Sequence, residues 1–256
     1  MKQVKRRIWA GAVCYQVVYN VPDRTRNIRD SVPRKPRFEN EEERKEFLLG
    51  ISRRKHARSF NANFGPSSLY STLTCDQEHE IHDFEDAKRI RKNFIKSLKR
   101  AYPEAVIFCY IGRGKSTHRI HFHMVSEGIP KEVIEEKWKH GGVRRIDNLR
   151  SHNFYNGVDR GQDYTGLANY LFDHWKPEMG GHRWYQTKNA RKPEADPAAE
   201  VRLRGGYTKD RPPKPPKGYT LVDITCTKYG CLHYTYVALP EKRKYQRRKP
   251  TYEVGS

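Results

Sequence analysis

The stretch Arg119-Ile120-His121-Phe122-His123-Met124-Val125 constrains this chain more than any other. Its alternation of polar and apolar residues fits a half-buried β-strand, because successive side chains on a strand point to opposite faces. Ile120, Phe122 and Met124 then face a core, while Arg119, His121 and His123 share the other face. The two histidines are two strand rises apart, roughly 6.6 Å along the backbone. Imidazoles so placed can converge on one divalent cation and leave its other positions open to a substrate oxygen. An edge strand carrying two solvated histidines would read the same way, so the neighbouring sequence has to decide.

A compact α/β pattern surrounds this strand. Ser68–Cys75 alternates, with Leu69, Leu73 and Cys75 on one face and Tyr70, Thr72 and Thr74 on the other. Asp83–Ala101 is an amphipathic helix whose stripe is Phe84, Ala87, Ile90, Phe94, Leu98 and Ala101. Ala105–Ile111 is apolar on both faces and reads as a central strand. The loop Gly112–His118 turns it into the histidine strand, making a hairpin. Pro130 starts a short helix with Val133, Ile134 and Trp138 inward, ended by Gly141 and Gly142. Val143–Ile146 is a further strand, and Asp163–Trp175 a further helix.

The flanks differ in composition. Ile8–Val21 reads as one strand region, followed by a charged connector with Pro33 and Pro36. Glu41–Phe60 is a basic helical segment interrupted by Gly50. Its Arg53, Arg54, Lys55 and Arg58 are either a phosphate-contacting face or a solvated one. Beyond Lys188 the chain turns Pro-rich and basic, a linker by composition. Gly218–Ala238 gives two strands around Lys228-Tyr229-Gly230, and a Lys/Arg run from Lys242 to Lys249 follows as a basic tail. The division expected is an amino-terminal strand and basic helical extension over 1–60, a core over 61–193, and a linker, hairpin and tail over 194–256.

Charge narrows the partner. The chain has 256 residues, with 51 Lys+Arg against 30 Asp+Glu and a formal net charge of +21. That excess favours a polyanion, nucleic acid first, with acidic lipid and a merely over-charged soluble protein as alternatives. No apolar run approaches a membrane span. The basic Met1–Arg7 segment is followed by a stretch broken at Tyr15, Gln16 and Asn20, a strand pattern and not a signal peptide. An intracellular protein with no membrane partner is expected. The five cysteines, Cys14, Cys75, Cys109, Cys226 and Cys231, include no Cys-x-x-Cys pair, which argues against structural zinc and a disulfide framework.

In the Asp163 helix, at about 100° per residue, Tyr164, Leu167, Ala168, Leu171 and Trp175 form a buried stripe. Tyr170 lies on its flank, with His174 one turn further along the same side. A tyrosine there can rest its ring on the core and hold its hydroxyl over the sheet, or simply bond water as boundary tyrosines do. Phe154 and Tyr155, ahead of this helix, can stack unpaired bases or pack in the core.

Three motifs now stand in order: Thr72-Leu73-Thr74 closing a strand, His121-Phe122-His123 in a strand, and Ala168-Asn169-Tyr170-Leu171 in a downstream helix. With Asn61-Ala62-Asn63-Phe64 before them, and His182-Arg183-Trp184 and Thr187-Lys188-Asn189 after, the chain resembles the HUH endonuclease superfamily. The likeness is to the single-tyrosine rolling-circle replication initiators of bacterial plasmids, phages and integrative elements. It spans about Asn61 to Pro193.

The resemblance implies an α+β fold, a ferredoxin-like endonuclease domain with a central antiparallel sheet and flanking helices. It implies a site-specific DNA endonuclease and strand transferase, acting in the bacterial cytoplasm. His121 and His123 would hold a divalent metal, Mn²⁺ or Mg²⁺, and Tyr170 would be the nucleophile. Thr72 and Thr74 would belong to the DNA-side scaffold. Arg113, Lys115 and Arg119 can grip phosphates beside the metal. The partner implied is single-stranded or hairpin origin DNA, together with host replication machinery such as a helicase. Many relatives supply a third ligand, often Glu, from the strand before the histidines. Here that place reads Gly112-Arg113-Gly114, which leaves Glu127, Glu78 and His118 as candidates. Relatives also often carry Lys shortly after the tyrosine, where this chain has Asp173 and His174. His174 is placed to be a general base or a phosphate contact, or is a surface histidine.

The chemistry expected is attack by Tyr170 on a phosphodiester, giving a 5′-phosphotyrosyl enzyme and a free 3′-hydroxyl. Phenols, with an ordinary pKa near ~10, are weak nucleophiles at neutral pH and need a cation's field or a base. Rival readings are a conjugative relaxase or transposase with the same chemistry, a metal-dependent hydrolase using water, and a non-catalytic basic nucleic-acid-binding protein.

Overall fold

The computed structural model describes residues 2–22, 38–81, 83–114, 119–175 and 180–238. The Pro33/Pro36 connector, loop residues Lys115 and His118, and the Lys242–Lys249 run lie outside them.

Among the described residues the chain is a mixed α+β fold with four helices and antiparallel sheets. The amino-terminal region read as one strand is a hairpin, β1 (Lys2–Ala10) and β2 (Val13–Val21), with Ala10 opposite Val13. Gly11 makes the turn at φ 59, a left-handed conformation that glycine adopts without steric cost. Helix α1 (Glu41–Asn63) follows, capped by the Asn40 side chain on the Glu43 amide. Gly50 does not interrupt it. A mid-helix glycine costs about 1 kcal/mol, which the burial of Ala57, Phe60 and their neighbours against the core outweighs.

The core sheet is built from β3 (Leu69–Thr74), β4 (Val106–Arg113), β5 (Ile120–Glu127) and β6 (Val143–Asn148). Helix α2 (Phe84–Ala101) separates β3 from β4, with Asp83 as its cap, and α3 (Lys131–Lys137) follows β5. A two-residue hairpin, β7 (Phe154–Tyr155) and β8 (Val158–Asp159), precedes α4 (Thr165–Phe172). Short strands β9 (Tyr185–Gln186), β10 (Glu194–Ala195) and β11 (Ala199–Glu200) lead to β12 (Tyr219–Cys226) and β13 (Leu232–Ala238).

Strand order in the core sheet is β6-β3-β5-β4-β9, with the histidine strand in the middle. Its two faces are covered differently. Leu73, Phe122, Met124 and Ile107 pack with α2 and α3 residues such as Leu98 and Ile134. Phe108, Tyr110 and Val125 pack on the other face with Ala57 and Phe60 of α1 and Ala168 and Leu171 of α4. Strand alternation therefore sends His121 and His123 to the α4 side.

A second sheet runs β10-β1-β2-β13-β12, so the two ends of the described chain pair with each other. The Pro-rich stretch read as a linker is tied to this sheet. Tyr236 Oη donates to the Pro213 carbonyl at 3.1 Å, and Tyr234 Oη to the Thr208 carbonyl at 2.8 Å. All five cysteines are unpaired, and Cys14 and Cys109 are buried within strands. No helix among the described residues is long and apolar enough to cross a membrane.

Candidate active site

The register of three strands sets the site. Thr72 and Thr74 of β3 lie opposite His123 and His121, and on the other side Tyr110 and Gly112 of β4 lie opposite the same two residues. Helix α4 is brought over this face by its amino-terminal end. Asn61 Oδ1 accepts from the Tyr164 amide at 2.8 Å, and its Nδ2 donates to Tyr15 Oη at 2.7 Å and Thr165 Oγ1 at 3.2 Å. Asp163 Oδ1 accepts from the Thr165 amide at 2.9 Å.

The helix ends earlier than its apolar stripe suggested, at Phe172 and not Trp175. Beyond it the His174 amide reaches back to the Leu171 carbonyl at 3.3 Å. His174 Nδ1 lies 2.8 Å from the Tyr170 carbonyl. A carbonyl oxygen can only accept, so Nδ1 carries the hydrogen and, in the neutral ring, Nε2 keeps its lone pair. His121 is oriented the same way, more loosely, with Nδ1 at 3.4 Å from the Arg119 carbonyl.

His121, His123 and His174 come together, each offering a ring nitrogen within 4.8 Å of the others. Ring centroids are 4.8 Å apart for His121 and His123 and 4.5 Å for His123 and His174. His123 is nearly parallel to the Tyr70 ring, and its Nδ1 lies 2.7 Å from Tyr70 Oη and 3.3 Å from Thr72 Oγ1. Its Nε2 is buried without a partner. Buried polar atoms are rarely left unpaired, and an orphaned nitrogen among three convergent imidazoles fits a bound cation. Gly112 supplies the space: a Cβ there would lie 2.7 Å from His121 Nε2 and 2.9 Å from His174 Cδ2. The triad can therefore hold a metal ion.

Electrostatics favour the same use. Burial, reinforced by His174 and His121, pushes His123 down to about 3. Burial also lowers His121, opposed by its bond to the Arg119 carbonyl. Imidazoles kept neutral retain the lone pair that metal ligation needs. Tyr170 lies beside the triad, its ring centroid 4.4 Å from His174 and 6.1 Å from His123, and it is 53% exposed.

The remaining sequence candidates fall elsewhere. Thr74 Oγ1 donates to the Gly142 carbonyl at 3.0 Å, and only Thr72 of the two threonines reaches a histidine. Arg113 sits over the Phe84 ring at 4.7 Å, and Arg119 pairs with Glu80 at 3.7 Å. Glu127 is not near the cluster; its carboxylate accepts from the hydroxyls of Ser67 and Ser68 at the far end of β5. Glu78 is exposed in the turn after β3, outside the triad. Phe154 and Tyr155 are exposed, 69% and 64%, which removes the core-packing alternative. Sequence reasoning missed Tyr70 and Gly112. Tyr70 had a signal, since it shares a strand face with Thr72, whereas the role of Gly112 depends on register.

Residues 68–174 match the model of a replication-associated protein family, the ORF2 type. The matched segment opens beside β3 and closes on His174, so it contains the triad and Tyr170. It supports a rolling-circle replication initiator. No curated protein and no solved structure matches the chain.

Proposed function

We propose that the chain initiates rolling-circle replication by nicking single-stranded origin DNA, with Tyr170 as nucleophile beside a divalent cation held by His121, His123 and His174. One observation carries this reading: a half-exposed tyrosine adjoins three convergent imidazoles inside a segment matching a replication-associated family. When bound, a divalent ion supplies positive charge that polarises the scissile phosphate and offsets the negative charge growing on it. Three neutral imidazoles suit a transition-metal ion better than Mg²⁺, which seeks oxygen ligands in octahedral geometry.

The residues of the chain do the rest. Tyr70 and Thr72 fix the His123 ring through Nδ1, turning Nε2 inward. His174, with its Nδ1 hydrogen given to the Tyr170 carbonyl, acts in this reading as third ligand and not as base. That same bond ties the backbone of the nucleophile to the cluster. Tyr170 Oη attacks phosphorus in line, forming a tyrosyl–phosphate ester as the bond to the 3′ oxygen breaks. The phenol proton leaves to solvent, and the 3′ oxygen takes one up. One phosphodiester is exchanged for another, so the step is reversible and the same site can rejoin strands.

The test is labelled single-stranded DNA from the origin of the element that carries the chain, incubated with Mn²⁺ or Mg²⁺ and run on a denaturing gel. A metal-dependent, denaturation-resistant adduct is expected. It should vanish in Tyr170→Phe while DNA binding persists, and in His121→Ala/His123→Ala. Cleavage without adduct would assign a water-activating hydrolase. Binding with neither cleavage nor adduct would leave a non-catalytic binder.

A further inference from the structure

Helix α1 carries Arg53, Arg54 and Arg58 toward α4 and the second sheet. Arg53 pairs with Asp173 at 2.6 Å. Arg54 and Arg58 are partly buried, and neither guanidinium has a carboxylate or hydrogen-bond acceptor among the described residues. Arg58 lies over the Tyr15 ring at 5.3 Å, with its Nε buried and unpartnered. Burial depresses both groups, and Arg54 adds repulsion at Arg58. Two neighbouring, desolvated cations without a counter-ion oppose folding, since buried charges are ordinarily paired. An anion from outside would complete them.

The space for one is there. Arg54 and Arg58 line a cavity of about 310 Å³ between α1, α4 and the second sheet, into which Thr165, Asn169, Thr225 and Thr235 also face. His233, on the same wall, has a buried unpartnered Nδ1. Burial and the two arginines push its pKa down to about 4, which leaves it neutral. Asp223 is the one carboxylate on the wall and has its own cation, Arg160 at 3.9 Å.

The cavity is continuous with a trough of about 520 Å³, sharing Thr165, Asn169, Thr225 and Thr235 with it. The other side of that trough is the β7–β8 hairpin with exposed Phe154 and Tyr155, flanked by Arg150 and Arg160. Exposed aromatic rings beside arginines are the composition that stacks unpaired bases and tracks a phosphate backbone. Asn169, on the shared wall, immediately precedes Tyr170. Thr165 lies about 7.5 Å from Tyr170 along the helix axis.

We propose that Arg54 and Arg58 form a pocket for a backbone phosphate of the single strand flanking the scissile one, with Phe154 and Tyr155 stacking nearby bases. This rests on the reading that the chain acts on single-stranded DNA. It assigns the cavity to a backbone phosphate and not to free phosphate.

The experiment uses the full chain as Tyr170→Phe, so that DNA is bound but not cleaved, with and without Arg54→Met/Arg58→Met. Affinity for a labelled single-stranded oligonucleotide is measured across salt concentration, and melting temperature with and without inorganic phosphate. The double variant should bind at least about tenfold more weakly, with a salt slope shallower by about 0.7 for each phosphate no longer neutralised. Its melting temperature should equal or exceed that of the parent, because two unpaired desolvated charges have gone; merely structural arginines would lower it. Unchanged affinity and slope in a parent that binds DNA would overturn the pocket, as would a lower melting temperature in the double variant. Phosphate stabilisation that disappears in the variant at unchanged DNA affinity would assign a free-phosphate site instead. A parent that fails to bind single-stranded DNA would overturn the functional reading itself, and the backbone assignment with it.

Discussion

Replacing Gly112 by Ala adds one methyl group to the strand facing His121. An ideal Cβ at that position lies 2.7 Å from His121 Nε2, 2.9 Å from His174 Cδ2 and 3.1 Å from His121 Cε1. Ordinary contacts begin near 3.4 Å, so the His121 ring must retreat by about 0.7 Å and the His174 ring by about 0.5 Å. The backbone itself does not resist alanine, since Gly112 lies in a regular strand pair and is not among the glycines at positive φ. Glycine inside a strand is in fact less stable than alanine by roughly 0.5–1 kcal/mol. Fold stability without metal should therefore change little. Metal binding should not survive as well. Metal–imidazole bonds are about 2.0–2.1 Å and tolerate deviations of about 0.2 Å. A ligand pushed back by several times that amount should cost 10–100-fold in affinity, the range seen when a ligand's supporting partners are removed, or about 1.4–2.8 kcal/mol. Calorimetric titration with Mn²⁺ of the natural chain, Gly112→Ala and His121→Ala checks this, alongside thermal melts in chelator. If Gly112→Ala binds Mn²⁺ as tightly as the natural chain, the ion does not sit among these three rings. If it melts far lower in chelator, the glycine serves the fold and not the site.

Three further outcomes follow from the structure. Tyr70→Phe deletes the 2.7 Å hydrogen bond to His123 Nδ1 and leaves Thr72 at 3.3 Å, so Mn²⁺ affinity should drop about tenfold at an unchanged melting temperature; equal affinity would mean that ring stacking alone fixes His123. Asn61→Ala removes buried bonds to the Tyr164 amide, Tyr15 and Thr165, and should cost about 2–4 kcal/mol in chemical denaturation while lowering adduct yield; a loss below ~0.5 kcal/mol would show that α4 is placed without it. Burial holds His56 at a pKa of about 3 in the fold against ~6.5 unfolded, so both states are neutral above that window and the unfolded chain takes the proton first as pH falls through it. Stability should thus decline on acidification by up to about 1.4 kcal/mol per pH unit from this residue, and His56→Gln should flatten the measured slope by that amount; an unaltered slope would show that His56 protonates inside the fold.

What the sequence made legible is what depends on local periodicity. The face of β5 that carries His121 and His123 follows from Ile120, Phe122 and Met124 entering the core, a parity that one strand decides alone. The same holds for α2, where Asp83 caps a helix whose stripe is apolar. Non-local choices were not legible. Pairing of β2 with β13 joins segments separated by most of the chain, and nothing in either strand names its partner. The third imidazole depended on two such choices at once: α4 lying over the histidine face, and the chain unwinding after Phe172 with His174 still one turn from Tyr170. Arg54 and Arg58 stood in one basic run with Arg53 and Lys55, and only the cavity between α1, α4 and the second sheet separates the desolvated pair from the paired and the exposed.

Helix α4 is where these choices meet. Thr165 and Asn169 stand one turn apart on its flank toward the phosphate pocket, and Tyr170, one residue on, stands at the metal side. Two turns thus carry the nucleophile and part of the pocket wall, and their start is held by Asn61 while their end is tied to His174. A short helix pinned at both ends leaves the tyrosine little freedom relative to either site. Catalytic positioning here should accordingly be lost through Asn61 or His174 as surely as through the tyrosine itself, with the difference that only Tyr170→Phe leaves metal affinity, melting temperature and DNA binding all intact.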